Sequence, residues 1–507
     1  MKFTFGGGIN ELNDIAISQQ EAVSGQNFDL GLGNTKFKPR RPFDLIGTAT
    51  NTSSIHGIHQ LIKRNGTKTT LVAAGTDMYT FDGTTWTDVG NVDADAEFKH
   101  FDWPLDQTII IVDREKQNPV LEWDGTTLSA LTHGIGGVTN FYAKYGIVAN
   151  GRVFLANVTT DSDENPHMIV ASAFENRQSY DTSTRAGDAG FSTGDEAFYI
   201  LTPDLKPING LVSFMNLIIC STEDGKLYKL VGDDSTNYRW DDFYAGSAAI
   251  GDNSFIDAGN DVYYMRAGGV IESLRSTDTY GDVGTDDISL PVRDTLKDST
   301  GMRAVYDRTN RKILFFLQNK VVVLFKDLLG SGSSPFTIYK TLHPSSFLTS
   351  AAEYLERPDS TNKTVLFGDE NGNLFDLNGT YGQGDAGSYD LTTNRKLPLQ
   401  EFNYNTVLSG RVFYRRYGSC ELNILFDWGD ERNRTGVIIP LKGGDDAEGS
   451  YFGGGVYFGG DFYFNEGLNS DRNPVSGGFS AIGKGSSVFA TFEVTTSSQF
   501  EIDYVEV

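Results

Sequence analysis

The sequence predicts an all-β protein: a β-propeller of about seven blades, with an N-terminal extended arm and a C-terminal antiparallel β-sandwich. Three observations carry this. Composition favours turns and sheets, one strand-and-turn theme recurs along the chain, and one turn motif appears twice about 42 residues apart, within the ~40–50-residue spacing of propeller blades.

Among 507 residues are 57 glycines, 34 phenylalanines and 23 tyrosines. Glycine supplies positive φ for tight turns, and aromatic rings suit a half-buried pleated surface. Hydrophobic residues at 39% and charged ones at 21% are ordinary for a chain that folds. The length suits two to four domains of usual size, or one propeller that absorbs most of it.

Residues 1–45 read as an extended arm. A GGG turn and a polar stretch precede NFDLGLGNTKFKPRRPFDL, which has little internal periodicity and needs a surface to lie on. The propeller is expected over 46–385. Residues 59–90 give four short runs separated by NG, GT and DG turns, which mark successive hairpins. Residues 97–131 end in the same way: Phe81-Asp82-Gly83-Thr84-Thr85 and Trp123-Asp124-Gly125-Thr126-Thr127 each join what would be the last two strands of a blade. Looser groups follow at 140–181, 207–244, 251–274, 302–340 and 346–379. That makes seven candidate blades, with six or eight left open.

A helical insertion is expected near 286–299, where Ile288, Leu290, Val292 and Leu296 are weakly amphipathic and Pro291 sits in the first turn. Residues 380–400 are polar and turn-rich, which marks a boundary. The sandwich is expected over 395–507, on the alternation of RVFYRRYGSCELNILFDW and SSVFATFEVTTSSQFEIDYVEV. Between them runs the Gly/aromatic loop 451–464.

The formal charge of −25 argues against tight, sequence-independent binding to DNA or an anionic membrane, because such affinity comes from Lys and Arg neutralising phosphates. No stretch approaches the roughly 20 apolar residues of a membrane span, and MKFTFGGGIN lacks the apolar core of a secretory signal. The expected location is therefore the cytoplasm, or a particle assembled there.

No catalytic chemistry is legible, and no enzyme activity, cofactor or metal is expected. Cys220 and Cys420 each sit in an apolar run, as buried thiols do. His56, His59, His100, His133, His167 and His343 are scattered without zinc spacing; His56 and His59 are expected to lie just before a strand. No nucleophile elbow, phosphate-binding loop or dinucleotide fingerprint occurs in its strand-turn-helix context. The acidic stretches 159–167 and 232–242 read as solvated loops rather than calcium sites. With 67 acidic residues, carboxylate pairs are too common to signal glycoside hydrolysis.

One basic concentration stands out. Lys36, Lys38, Arg40 and Arg41 in the arm, joined at a distance by Arg411, Arg415 and Arg416, form a candidate docking point for an acidic neighbour, a second copy included.

Several of these segments resemble those of one family. GGGIN, NFDLGLGNTKFKPRRPF, GRVFLAN (151–157), ASAFENRQSYD (171–181), INGLVSFMNLIICSTEDGKLYKL (208–230) and VYYMRAGGVIESL (262–274) occur in an order similar to that of bacteriophage tail hub, nozzle and packaged-DNA-stabilising proteins of the tail tubular protein B type. The resemblance covers roughly 1–280 and, more loosely, the C-terminal unit. It implies a non-enzymatic virion protein: a homo-oligomeric ring, with six copies expected, below the portal. It also implies contacts with other tail or portal-adaptor proteins, and viral DNA passing without sequence-specific binding. An acidic wall suits that role, since a basic lumen would hold phosphates. The rival reading is a carbohydrate-binding or carbohydrate-cleaving propeller of receptor-binding or depolymerase type. Its stacking surfaces would be the loop 451–464 and Trp86, Trp103, Trp123, Trp240 and Trp428, although tryptophans in β domains mostly pack cores.

Overall fold

In the computed structural model the chain forms two compact units, one of Leu45–Gln318 with Ser345–Asp376, the other of Met1–Asp44, Asn319–Pro344 and Leu377–Val507. The structure describes all residues except 1, 4, 6, 13–20, 32–33, 94–95, 106, 162, 183–193, 215–216, 246–248, 260, 275–286, 298–301, 318, 341–346, 380–386, 394–404, 408–409, 416–419, 428–433, 442–474, 480–482, 486–488, 497–499 and 507.

The larger unit is a β-propeller. Its blades are antiparallel sheets that follow one another in the chain. The first holds Ile55–Ile62, Lys68–Ala74, Asp77–Phe81 and Trp86–Asn91, and the second Phe98–Trp103, Thr108–Asp113, Leu121–Trp123 and Leu128–Ala130. The third holds Phe141–Ala149, Arg152–Thr160, Glu164–Ala171 and Phe198–Leu201; the fourth holds Ile208–Phe214, Leu217–Thr222, Lys226–Val231 and Arg239–Ala245. Ile256–Asp257, Val262–Arg266 and Val270–Ser273 make the fifth. The sixth holds Arg303–Asp307, Lys312–Leu317, Lys320–Phe325 and Phe336–Tyr339. The seventh is Phe347–Glu356, Lys363–Asp369 and Asn373–Asp376, completed by Asp44–Thr48 from the other end of the chain.

The first strand of each blade touches the first strand of the next, from Ile55–Ile62 round to Phe347–Glu356, which touches Ile55–Ile62 again. The circle is therefore closed by seven blades. Its seam is sealed because Asp44–Thr48 supplies the outer strand of the last blade, so that first and last blades share one core: Ile46, Leu355, Leu366 and Leu374 lie against Ile55, Ile58 and Val72.

The cores lie between blades, which explains the apolar runs. In Thr108–Asp113 all six residues are buried. Because successive side chains point to opposite faces, Ile109 and Ile111 pack toward the first blade with Leu61, Leu71 and Trp123, while Ile110 and Val112 pack toward the third with Phe141, Val153 and Leu155. The run Leu217–Thr222 repeats the device: Ile218 and Cys220 face the third blade, Ile219 the fifth. Each such side chain contributes ~1.5–3 kcal/mol by leaving water.

The two copies of the turn motif take one conformation. Asp82 Oδ1 accepts from the Thr84 and Thr85 N–H groups at 2.9 and 2.8 Å, and Asp124 Oδ1 accepts from Thr126 and Thr127, both at 2.8 Å. The intervening Gly83 and Gly125 have φ of +104° and +94°, where a side chain would be strained. As expected, each turn joins the third and fourth strands of its blade.

The helical segment expected at 286–299 is short: a 3-10 turn, Leu290–Val292, runs into Arg293–Leu296. His56 and His59 lie within the first strand, not before it. The sequence hid this because His56-Gly57 occupies a β-bulge, where the register shifts between Ile55 and Gly57.

The smaller unit is the β-sandwich. One sheet runs Phe28–Gly31, Asn34–Pro39, Glu501–Glu506, Gly410–Arg415 and Val475–Phe479, with Lys2–Phe3 also on Glu501–Glu506. The other runs Ala22–Gln26, Gly387–Thr393, Phe489–Thr496, Cys420–Asp427 and Arg434–Leu441. Phe5 ties them together, with its ring 5.7 Å from Phe37 of the first sheet and 5.2 Å from Phe492 of the second. The arm is thus no separate element. Its strands are members of both sheets, because Phe5, Phe28 and Phe37 are core residues that an isolated arm would expose.

Asn319–Pro344, whose strands Lys320–Phe325 and Phe336–Tyr339 belong to the sixth blade's sheet as expected, is grouped with this unit. The Gly8 and Ile9 N–H groups donate to the Ser334 and Phe336 carbonyls at 2.8 Å each.

Candidate functional site

The first strands of the first, second, fifth, sixth and seventh blades line a cavity of about 510 Å³. Its wall is built by position in the fold. His59 comes from the first blade, Lys99 and Asp102 from the second, Arg303 from the sixth and Glu353 from the seventh, all on innermost strands. Asp252 and Asn253 come from the 3-10 turn Asp252–Ser254 that opens the fifth blade.

His59 bridges three blades. Its Nδ1 lies 2.8 Å from Glu353 Oε1 and its Nε2 2.8 Å from Asp102 Oδ1. Burial alone would lower the pKa of this imidazole, but Glu353 and Asp102 on either side raise it to about 10. The ring of His100 stacks on it, centroids 5.7 Å apart. Burial, reinforced by the charge on His59, holds His100 well below the usual range, so it stays neutral.

The turn Asp252–Ser254 crosses the floor. Asp252 Oδ2 is 2.6 Å from Lys99 Nζ and 3.5 Å from Arg114 Nη2, and its Oδ1 accepts from the Leu211 N–H at 2.9 Å. Burial would raise this carboxyl, but Lys99 and Arg114 hold it below the usual carboxylate range. Asn253 Oδ1 accepts from Arg303 Nη1 at 2.8 Å, while its Nδ2 donates to Glu97 Oε1 at 3.0 Å. Beyond the turn lies a second cavity of about 320 Å³, which shares Arg114, Asp252 and Asn253 with the first. The turn separates the two, cross-tied to the second, fourth and sixth blades.

Chemically, the site is a set of opposed charges, with Lys99, Arg114 and Arg303 set among Asp102, Asp252 and Glu353. The nearest thing to a general base, His59, is an imidazolium held by two carboxylates. Among the described residues no group of three His, Cys, Asp or Glu side chains is arranged to hold a metal ion. Both cysteines are free thiols; burial raises Cys220 above its usual range and Cys420 to about 11, far from a reactive thiolate.

None of the basic residues expected at a docking point lines this cavity. The structure does bring the two basic stretches into one sheet, since Asn34–Pro39 and Gly410–Arg415 pair with opposite sides of Glu501–Glu506. Arg411 is aligned with Glu506 and Arg415 with Glu501. Lys36 lies on Asn34–Pro39, Lys38 is half-buried, and Arg41 and Arg411 are exposed; Arg416 lies outside the described residues, as do the side chains of Lys36 and Arg415.

Arg40 is a correction to the expected patch. It is 1% exposed, and donates to Asn27 Oδ1, the Arg41 carbonyl and the Lys340 carbonyl at 2.9, 2.7 and 2.9 Å. With Phe43 beneath its guanidinium it is a core residue of the sandwich unit.

Of the tryptophans, Trp103 and Trp123 are buried, Trp86 stacks on Phe81 at 4.4 Å, and Trp240 Nε1 donates to the Leu201 carbonyl at 2.6 Å. Trp428 and the loop 451–464 lie outside the described residues. In the acidic stretches, Asp161 accepts from the Asn140 N–H at 3.1 Å, 21 residues away in the chain, and Asp234 closes a local turn by accepting from the Thr236 N–H at 2.8 Å.

Sequence reasoning missed the cavity residues. Their only signal is a charged or polar residue at the first strand of successive repeats, which is visible only once the repeats are aligned on their turns.

No protein-family model and no curated protein matches the chain. Solved structures similar to it include the computationally designed Ika8 protein, at 9% identity over 66% of this chain and 99% of that one, with a TM-score of 0.34. YCF48 bound to D1 peptide is similar at 12% identity over 70% and 97%, with a TM-score of 0.40. PorZ, a bacterial surface component of the type-IX secretion system of Porphyromonas gingivalis, is similar at 10% identity over 78% of this chain and 46% of that one, with a TM-score of 0.37. The fold itself rests on the closed circle of sheets: the protein is an all-β propeller with an antiparallel β-sandwich.

Proposed function

We propose that this protein is a structural component of a bacteriophage tail, a hub or nozzle ring below the portal that joins tail parts and forms part of the DNA conduit. One observation carries the reading: described residues of the segments that resemble that family serve as framework. Gly8 and Ile9 of GGGIN are stitched to Ser334 and Phe336. Arg152 of GRVFLAN is fully buried and donates to the Ser172 and Glu196 carbonyls at 2.7 and 2.8 Å. Asn157 of the same segment reaches the Ile208 carbonyl at 3.0 Å, tying the third blade to the fourth.

On this reading the protein is not an enzyme. It acts by assembly, in homo-oligomeric rings, in contact with tail and portal-adaptor proteins, and resides in the virion after assembly in the host cytoplasm. The net charge of −25 supports a wall that DNA passes without sequence-specific binding. Negative-stain imaging and mass measurement of the purified chain test the proposal, with a multi-copy ring expected. A chain that stays monomeric at micromolar concentration, or that cleaves a bacterial surface glycan to release reducing sugar, refutes it and favours the carbohydrate-active propeller.

A further inference from the structure

The floor of the central cavity brings three cations together, although carboxylates of Asp102, Asp257 and Glu356 also line the cavity. Lys99, Arg114 and Arg303 line it together, and the charge of Arg114 disfavours that of both Lys99 and Arg303. Two carboxylates, Asp252 and Glu97, are bonded to this group. Glu353, also nearby, is engaged by His59.

Arg114 is 7% exposed and lines both cavities. Its Nη1 is paired with Glu97 Oε2 at 3.1 Å and its Nη2 with Asp252 Oδ2 at 3.5 Å, while its Nε has no hydrogen-bond acceptor in the protein. A buried guanidinium with donors left over is costly, and an oxyanion satisfies such donors best because its geometry matches the planar fork. Arg303, on the wall of the same cavity, directs its Nε to the Ala352 carbonyl at 3.1 Å and its Nη1 to Asn253 Oδ1 at 2.8 Å. Both are neutral acceptors. Asn253 fixes the pose of Arg303, being held from the other side by Glu97.

We propose that the central cavity is a binding site for a small oxyanion of the phosphate or carboxylate class, held by Arg114 and Arg303 with Lys99 as the third cation. The site is independent of the tail reading: it depends on the propeller alone, and a ring or a monomer would bind equally. A volume of about 510 Å³ accommodates an ion of this size with water, and excludes duplex nucleic acid. A polymer's phosphate would therefore have to enter as a free end. Such a ligand would link the second and sixth blades across the floor, and so stiffen the circle.

The test uses the full chain and inorganic phosphate, with chloride at matched ionic strength as the control. Calorimetry should give a phosphate midpoint of about 1 mM or tighter, at least ten-fold weaker in Arg303→Gln and partly restored in Arg303→Lys. Citrate should compete with phosphate. Crystals soaked in selenate should show an anomalous peak between Arg114 and Arg303, a readout that needs no variant. Equal response to chloride and phosphate, unchanged affinity in a folded Arg303→Gln chain, or selenate peaks only elsewhere would each overturn the proposal.

Discussion

His59 lies flat against His100, their planes 4° from parallel, and only His59 carries a charge. Two imidazolium rings could not share this stack. The neutral ring is tolerated because Gly57, on the strand that carries His59, leaves room for it: a Cβ there would stand 2.5 Å from His100 Cε1.

The charge on His59 makes the propeller's stability depend on alkaline pH. With a folded pKa raised to about 10 and an ordinary value of 6.5, the folded state holds the proton more tightly than the unfolded one. The stabilisation is fully present below pH 6.5 and is lost as pH rises to about 10. Asp102, one of the two partners, has a side chain 54% exposed, which screens its share. The expected effect is on the order of 2 kcal/mol. Urea midpoints of wild type and His59→Gln at pH 6, 8 and 10 should converge as pH rises. Parallel curves would show that His59 is not charged in the folded chain.

Gly8 is required by its neighbours. A Cβ at this position would lie 2.2 Å from the Phe336 carbonyl oxygen and 2.7 Å from that of Ser334. Backbone on both sides cannot yield as a flexible side chain can, so Gly8→Ala should destabilise the sandwich unit by about 2–3 kcal/mol. Gly436→Ala, where nothing lies within 4 Å of the new Cβ, is the control and should be near neutral. Equal thermal shifts in the two variants would contradict the close approach.

The repeated aromatic-Asp-Gly-Thr-Thr turn makes a local prediction. Asp124 accepts three hydrogen bonds, from the Thr126 N–H and hydroxyl and from the Thr127 N–H, which hold its carboxyl below the usual range. Asp124→Ala should cost about 1 kcal/mol, while Asp124→Asn, which keeps an acceptor oxygen, should cost less. Thermal denaturation of the pair decides. An alanine variant as stable as the asparagine would mean that Gly125 alone sets the turn.

Legibility followed how local each signal was. Asp82 and Asp124 fix their turns with neighbours two and three residues away, so sequence spacing revealed blade lengths directly. The seal of the circle was hidden, because Asp44–Thr48 meets Asn373–Asp376 across more than 300 residues and five residues carry too short a pattern to assign. Arg40 misled for a related reason: KFKPRR looks like a solvated basic run, and only the carbonyls of Arg41 and Lys340 show that one member points inward. The cavity was unreadable, since Lys99, Asp252 and Arg303 converge from three separate blades.

Asp252 is the residue on which the floor of the cavity depends. Its side chain is 1% exposed and lies against both Lys99 and Arg114. Its removal would strand two buried cations, and breaking a buried pair in this way typically costs about 3–5 kcal/mol. Asp252→Ala should therefore be the most destabilising single change in the propeller's polar interior. Lys99→Met should cost less, because Arg114 still faces the carboxylate. The double variant should recover part of the loss, with a coupling of about 1–3 kcal/mol in a double-mutant cycle read by urea denaturation. Additive costs would mean that Lys99 and Asp252 do not share one charge balance.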